Sequence, residues 1–164
     1  MYYISNHAIW QRKDGGKKLR VIFNGSQPTC SGNSLNDIMY GCPKFQNNIS
    51  TIIVRWWMHK IFFCADVKML YRQFKVHPGH LNLQRIIWFN SALEPIKHYT
   101  LLTVTNETNC APFLALRTLK QLCRDNGEQF PESVKAINEE LYVDELVCGT
   151  RDVKQARQRR NQII

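Results

Sequence analysis

Two apolar segments that end or turn at acidic residues constrain this chain more than any other feature. The first, Ile61–Asp66, reads IFFCAD and closes on a carboxylate, and the second, 141–149, reads LYVDELVCG with Asp144 and Glu145 at its bend. A continuous apolar run of this length predicts a strand buried on both faces, and the second segment predicts an apolar hairpin. Carboxylates among such strands are costly unless a partner neutralises them.

A divalent cation is the usual partner for such carboxylates. Mg²⁺ takes one or two protein carboxylates and completes its shell with water and substrate phosphates. Two such ions about 3.5 to 4 Å apart assist in-line displacement at phosphorus. In the alternative interpretation, Asp66 caps the turn after its strand and the pair Asp144 and Glu145 is an exposed hairpin tip. The two segments alone leave both interpretations open.

The N-terminal third predicts a hairpin, an irregular segment and a helix. Residues 2–24 form two short strand patterns joined by Asp14, Gly15 and Gly16, whose glycines allow positive φ. Residues 26–48 are rich in Gly, Pro and Asn, which predicts irregular structure with one helical turn at 35–39. The apolar spacing over 49–60 predicts a helix with both Trp56 and Trp57 in the core.

The remaining residues alternate strands and helices. Strand patterns cover 83–89 and 96–104, and a helix begins near Pro112 and ends near Gly127. A more acidic helix follows at 132–140, and a polar helix at 151–164 comes after the hairpin. Together these elements predict an α+β fold.

Composition bounds the class of protein without deciding its function. The chain has 164 residues, of which 44% are hydrophobic, so it can bury one core of ordinary size and is not expected to be disordered. The formal net charge is +9, and residues 1–60 hold eight Lys and Arg against two Asp and Glu. A basic chain is compatible with a nucleic-acid partner, although many other proteins share this balance.

Cysteine spacing and hydropathy argue against several sites and compartments. The six cysteines are scattered singly, without the C-x2-C pairs of closely spaced zinc ligands. The N-terminus carries no signal-peptide pattern, and the most apolar stretch, 49–64, is interrupted by Arg55, His59 and Lys60. These features predict a soluble intracellular protein, cytoplasmic or nuclear, with free thiols and no membrane association.

Five segments carry a resemblance to a known family. They read ADVKMLYRQFKVHP (65–78), QRIIW (84–88), EPIKHYTLLTVT (94–105), APFLALRTLKQL (111–122) and YVDE (142–145). In order and spacing they resemble the reverse transcriptase of Pao (BEL-type) retrotransposons, from about Tyr2 to the end of the chain. The resemblance implies a right-hand polymerase fold, with a fingers-like segment at 1–60 and an antiparallel palm sheet backed by helices at 61–164, without a thumb.

The resemblance also implies metal ligands. The acids that bind the catalytic Mg²⁺ (or Mn²⁺) ions in the family correspond to Asp66 and Asp144. The second acid of the hairpin is Asp in the family and Glu145 here. The added methylene moves that carboxylate by about 1.5 Å, a displacement large enough to cost about a hundredfold in rate.

Four further positions correspond to nucleotide-binding residues. Tyr71 resembles the aromatic residue that lies under the incoming sugar and excludes a ribose 2′-OH, although a core tyrosine is compatible with the same pattern. Lys18 and Arg20 match basic residues that hold the triphosphate, against the alternative of a solvated basic hairpin. Glu107 replaces a family glycine, which places an anion and extra volume beside the nucleotide. Asn24 replaces a family acid.

The function implied by the resemblance is RNA-directed DNA polymerase. Such an enzyme adds deoxynucleoside triphosphates to a primer 3′-OH on an RNA or DNA template, here as part of a longer retrotransposon polyprotein that also supplies a thumb and an RNase H domain. The departures at Asn24, Glu107 and Glu145 keep two alternatives open. These are a catalytically inactive, basic nucleic-acid-binding module and an interaction domain that uses the palm surface alone.

Overall fold

The computed structural model describes residues 2–13, 15–89, 91 and 93–163, and these form a mixed α+β structure with small antiparallel sheets. The predicted α+β class is confirmed, and Asp14 of the predicted turn lies outside the described residues. The chain divides into two compact units. Unit 1 comprises Met1–Cys42 and Tyr71–Ala111, and unit 2 comprises Pro43–Leu70 and Pro112–Ile164. The predicted segments 1–60 and 61–164 each contribute to both units.

Unit 1 contains two antiparallel hairpins and a short helix. Strand β1 (Ser5–Lys13) pairs with β2 (Gly16–Asn24), and β4 (Arg85–Trp88) pairs with β5 (Lys97–Thr100). Helix α1 (Leu35–Ile38) begins at a capping box in which Ser34 and Asp37 satisfy each other's backbone N–H groups. Its buried core is formed by Ile4, Phe23, Leu35 and Ile86. The predicted strands and helical turn are therefore present, with β4 and β5 shorter than the sequence predicts.

Unit 2 contains a three-stranded antiparallel sheet in the order β3-β7-β6. Its strands are β3 (Ile61–Asp66), β6 (Leu141–Tyr142) and β7 (Glu145–Thr150). The helices in this part of the chain are α2 (Ile49–Trp57), α3 (Ala111–Asn126), α4 (Pro131–Glu139) and α5 (Val153–Ile163). The sheet and helices bury a core of Leu116, Ala136, Leu141, Leu146 and Cys148.

Strand β3 is not buried on both faces, so that prediction was wrong. Phe63 and Ala65 pack against the core, whereas Phe62 is 57% exposed and Cys64 is also exposed. The burial alternates because one face of β3 packs against the core and the other does not, and an antiparallel sheet tolerates solvent on its second face.

The prediction of two core tryptophans was wrong for Trp57, which is 75% exposed. The buried residue of α2 is Ile52, and Trp57 follows it by five residues, which places it on the far side of a helix with 3.6 residues per turn. Trp56 is partly buried and meets Phe62 edge to face, with ring centroids 4.6 Å apart.

Across the described residues, no helix combines the length and apolar character needed to cross a membrane. All six cysteines are free thiols, as predicted, and Cys148 is buried in the core of unit 2.

Candidate active site

The register of the unit 2 sheet brings two of the three candidate carboxylates together. Asp66, the last residue of β3, is the Cα partner of Glu145, the first residue of β7. Directly opposed residues of an antiparallel pair lie on one face, with Cβ atoms about 4.5 to 5.5 Å apart. Both residues are exposed. The sheet therefore presents two like charges side by side, which is unfavourable unless a cation joins them.

The third carboxylate, Asp144, lies in the turn between β6 and β7. Tyr142 is opposite Glu145, so Val143 and Asp144 alone form the loop of a two-residue hairpin. Val143 has φ 57°, a left-handed value that is unusual for a β-branched residue. Two-residue hairpin loops normally place Gly or Asn at such a position. Strain of this kind is concentrated at functional sites.

Backbone hydrogen bonds tie the segment after β3 to this turn. The N–H of Val67 donates to the carbonyl of Asp144 over 2.8 Å, and the N–H of Leu70 donates to Val67 over 3.1 Å. Met69, between them, also has a positive φ of 54°. The turn that carries Asp144 is thus fixed beside the end of the strand that carries Asp66.

The side chains of Asp66, Asp144 and Glu145 offer the oxygen ligands that a hard divalent cation prefers. None of the ion pairs found among the described residues involves Asp66, Asp144 or Glu145. Carboxylate oxygens are preferred ligands of Mg²⁺, and exposure leaves room for water or phosphate oxygens. Within the described ranges, no three His, Cys, Asp or Glu side chains lie close enough together to hold a metal ion. The arrangement shown is a carboxylate pair with a third acid adjacent.

Lys18 and Arg20 lie on one face of β2 in unit 1. Both are exposed, and they alternate with Val21 and Phe23, which pack in the core of that unit. Arg20 Nη1 donates to Gln11 Oε1 on β1 over 3.4 Å. The two cations therefore project from the solvent face of the hairpin, where a phosphate has access to them.

Glu107 has a backbone conformation that favours glycine. Its φ is 67°, its side chain is exposed, and its carbonyl accepts a hydrogen bond from Asn36 Nδ2 over 3.1 Å. The side-chain oxygen of Asn36 accepts in turn from the N–H of Asn109 over 2.9 Å. A Cβ on Gly25 would lie 2.9 Å from the Glu107 carbonyl, so the two loops approach closely.

The remaining predicted positions have simpler surroundings. Tyr71 is partly buried in a single 3-10 turn, Leu70–Gln73. The side-chain oxygen of Asn24 accepts from the N–H of Ser26 over 3.1 Å and stabilises the turn after β2. Lys18, Arg20, Tyr71 and Glu107 all belong to unit 1, whereas the three carboxylates belong to unit 2.

Sequence reasoning missed three residues that shape these sites. The strained Val143 carries a detectable signal, because the sequence places Val and Asp where a two-residue hairpin normally has Gly or Asn. Met69 and Asn36 carry none, since their roles depend on loop contacts that no local pattern encodes. In the comparisons with known proteins, no protein-family model and no curated protein matches the chain.

Proposed function

We propose that this chain is the fingers-and-palm region of a Pao-type retrotransposon reverse transcriptase, acting by two-metal nucleotidyl transfer. The observation that carries the proposal is the strand register that sets Asp66 opposite Glu145, beside the turn that contains Asp144. Acids from two non-adjacent segments lie together at one exposed end of the sheet, and none of them forms an ion pair among the described residues. Divalent cations held by these carboxylates would contact the oxygens of a reacting phosphate, as two-metal nucleotidyl transfer requires.

The distribution of elements between the units is compatible with this fold. Unit 1 holds the N-terminal strands, which the resemblance assigns to the fingers, together with 71–111 of the palm-like segment. Unit 2 holds an antiparallel sheet packed against helices, as in a palm. On this α+β structure we base the assignment of a right-hand polymerase fold on the resemblance of the five sequence segments.

Each candidate residue has a defined role in this proposal. Asp66 and Asp144 hold Mg²⁺ or Mn²⁺, with Glu145 assisting, and the bound ions stabilise the charge that develops at the transferred phosphorus. Lys18 and Arg20 neutralise the triphosphate of the incoming deoxynucleotide, with Arg20 able to grip two oxygens. The ring of Tyr71 restricts the space available to a ribose 2′-OH. The second substrate is the 3′-OH of a primer on an RNA or DNA template.

Primer extension tests the proposal directly. The expected result is Mg²⁺- or Mn²⁺-dependent addition of deoxynucleotides to a primed RNA template, lost on Asp66→Asn and unaffected by Lys154→Gln, an exposed change on α5. Glu145→Asp restores the family side chain and is expected to raise the rate. Extension that survives both Asp66→Asn and Asp144→Asn would contradict the assignment of these carboxylates.

A second candidate function is an inactive, basic nucleic-acid-binding module. It is favoured by Glu107, which retains the backbone conformation of a glycine but adds an anion where the resemblance places the nucleotide. This hypothesis predicts tight primer–template binding with a steep salt dependence and no extension. It also predicts that the double change Glu107→Gly with Glu145→Asp recovers extension.

Filter binding across a salt series separates these functions from an interaction domain. Lys18→Gln and Arg20→Gln are each expected to weaken binding and to lower the salt slope by about one. Lys154→Gln is the matched control because it removes an exposed cation from unit 2. A protein that binds no nucleic acid at low salt is neither an active polymerase nor a binding module.

A further inference from the structure

A polar cleft lies in unit 2 at the opposite end of β7 from Glu145. Its volume is about 430 Å³. Its walls come from the end of β7, helices α4 and α5, and the residue His59 after α2. The lining residues are His59, Glu132, Lys135, Gly149, Thr150, Arg151, Gln155, Gln158 and Arg159. None of them belongs to the proposed active site.

Arg159 is the most buried charge of this cleft. The residue is 5% exposed, and its Nη1 donates to Glu140 Oε1 over 3.0 Å and to the Gly149 carbonyl over 3.2 Å. Its Nε lies 3.0 Å from Glu132 Oε2. Two carboxylates therefore compensate this guanidinium, although neither its buried Nε nor its buried Nη2 has a hydrogen-bond acceptor within the described residues. Arg159 is therefore a fixed part of the cleft wall whose charge Glu132 and Glu140 balance.

Two other cations of the lining are not compensated. Lys135 on α4 and Arg151 before α5 are both exposed, and neither forms an ion pair in the part of the chain that the structure describes. Glu132, which also lines the cleft, is engaged by Arg159. Two cations that face one concavity without ion pairs of their own repel each other and attract an anion. The mouth of the cleft is therefore positive even though Arg159 is neutralised at its wall.

Neutral donors complete the lining. The side-chain oxygen of Gln155 accepts from the N–H of Arg151 over 3.4 Å, which leaves its amide NH₂ available. The side chain of Gln158 makes no hydrogen bond among the described residues and is exposed. Gly149 lies so close to the His59 ring that a Cβ there would overlap it, so this side of the cleft is closely packed. Cations with amide donors are complementary to a ligand that has several acceptor oxygens.

We propose that this cleft binds a phosphate group, held by Lys135 and Arg151 with the amides of Gln155 and Gln158. A phosphate monoester carries a charge of about −1.5 to −2 at pH 7 and three acceptor oxygens, which matches two uncompensated cations and two amides. The phosphate belongs either to a small phosphorylated molecule or to a nucleic acid, since both present the same chemistry. The proposal does not depend on the polymerase assignment.

Calorimetric titration at constant ionic strength tests this binding site. The probes are inorganic phosphate, a mononucleotide and a short single-stranded oligonucleotide, each added to the full chain. Lys135→Gln and Arg151→Gln are each expected to weaken binding about tenfold or more, as the loss of one charge-assisted hydrogen bond implies. The matched controls Lys154→Gln and Arg157→Gln remove exposed cations that do not line the cleft, and they are expected to change affinity less than twofold.

Each outcome supports or overturns the proposal. If phosphate or the mononucleotide binds and this binding is lost in both lining variants, the proposal is supported and the source of the phosphate is a small molecule. If only the oligonucleotide binds and this binding is lost in both lining variants, the proposal is supported and the source is a nucleic acid. Equal weakening in the lining and control variants indicates general surface attraction and overturns it. Absence of binding by every probe at millimolar concentration also overturns it. Primer extension by the same variants reports separately on the carboxylates at the other end of β7.

Discussion

The acidic residues at the two ends of strand β7 differ in whether they form ion pairs. At its start, Glu145 lies opposite Asp66, and both are exposed without an ion pair among the described residues. Beside its second half, the buried guanidinium of Arg159 joins Glu140 and Glu132, each over 3.0 Å. We call these the unpaired end and the paired end.

The difference separates charges that hold the fold from charges left available to a ligand. A buried carboxylate such as Glu140, which is 8% exposed, has to be paired to be tolerated. The carboxylates of the unpaired end do not carry that desolvation cost, because they face solvent. Asp66 and Glu145 instead repel each other across the strand pair, and neither forms an ion pair among the described residues. The paired end is thus expected to govern stability, and the unpaired end is expected to respond to cations.

The largest effect is expected from breaking the paired end with Arg159→Met. This change leaves Glu140 buried without its cation, and loss of one partner of a buried pair costs about 3 to 5 kcal/mol. Urea denaturation measures the change in the free energy of unfolding. The double variant Arg159→Met with Glu140→Leu is expected to recover most of the loss. A loss below about 1 kcal/mol for the single variant would show that this cluster contributes no more than a surface pair.

The paired end also predicts a pH dependence through Cys148. Burial, and then its hydrogen bond with Glu140, raises the pKa of the Cys148 thiol to about 12. Above pH 9 the unfolded chain loses this proton while the folded chain keeps it, so the free energy of unfolding falls as pH rises from about 9 to 12. The slope is at most about 1.4 kcal/mol per pH unit.

Paired denaturation series at pH 8, 9, 10 and 10.5 isolate this contribution. Cys148→Ala is expected to be less stable at pH 8 but to lose stability less steeply above pH 9. Groups that titrate in the same range, such as Tyr2, whose pKa burial also raises, affect both proteins equally. Parallel slopes for the two proteins would contradict the assigned pKa.

The predictability of the two ends from sequence differs for a physical reason. The elements of the unpaired end follow from local patterns, because the apolar runs 61–66 and 141–149 predict a strand and a hairpin. The pairing of β3 with β7, which sets Asp66 opposite Glu145, is a non-local contact that these patterns do not specify. The paired end depends on contacts between Arg159 and residues 19 and 27 positions earlier, which no periodicity reveals. The predicted burial of Trp57 and Phe62 is wrong, because an apolar side chain does not indicate whether its helix or strand is covered on one face or on two.

Backbone strain at the unpaired end gives the next prediction. Val143 has a left-handed φ of 57°, which costs about 1 to 2 kcal/mol for a residue with a Cβ. Replacement by Gly removes this cost, but part of the gain is lost because Gly gives the unfolded chain more conformational entropy. Val143→Gly is therefore expected to raise the free energy of unfolding by about 1 kcal/mol. Val147→Gly, in the adjacent strand interior, is the matched control and is expected to destabilise the protein. Destabilisation by both changes would show that the Val143 side chain contributes more by packing than its backbone costs.

The smallest effect is the most informative about the unpaired end. Glu145→Gln removes one of two opposed like charges, so in the presence of a chelator it is expected to stabilise the fold by about 0.2 to 1 kcal/mol. With millimolar Mg²⁺ the order is expected to reverse, because a cation that binds only the folded state stabilises the original protein more than the variant. Glu128→Gln, which removes an exposed acid elsewhere on unit 2, is expected to show no such reversal. If Glu145→Gln remains the more stable protein at every Mg²⁺ concentration, the carboxylate pair does not act as a cation site, because the repulsion between Asp66 and Glu145 then persists in the presence of the ion proposed to relieve it.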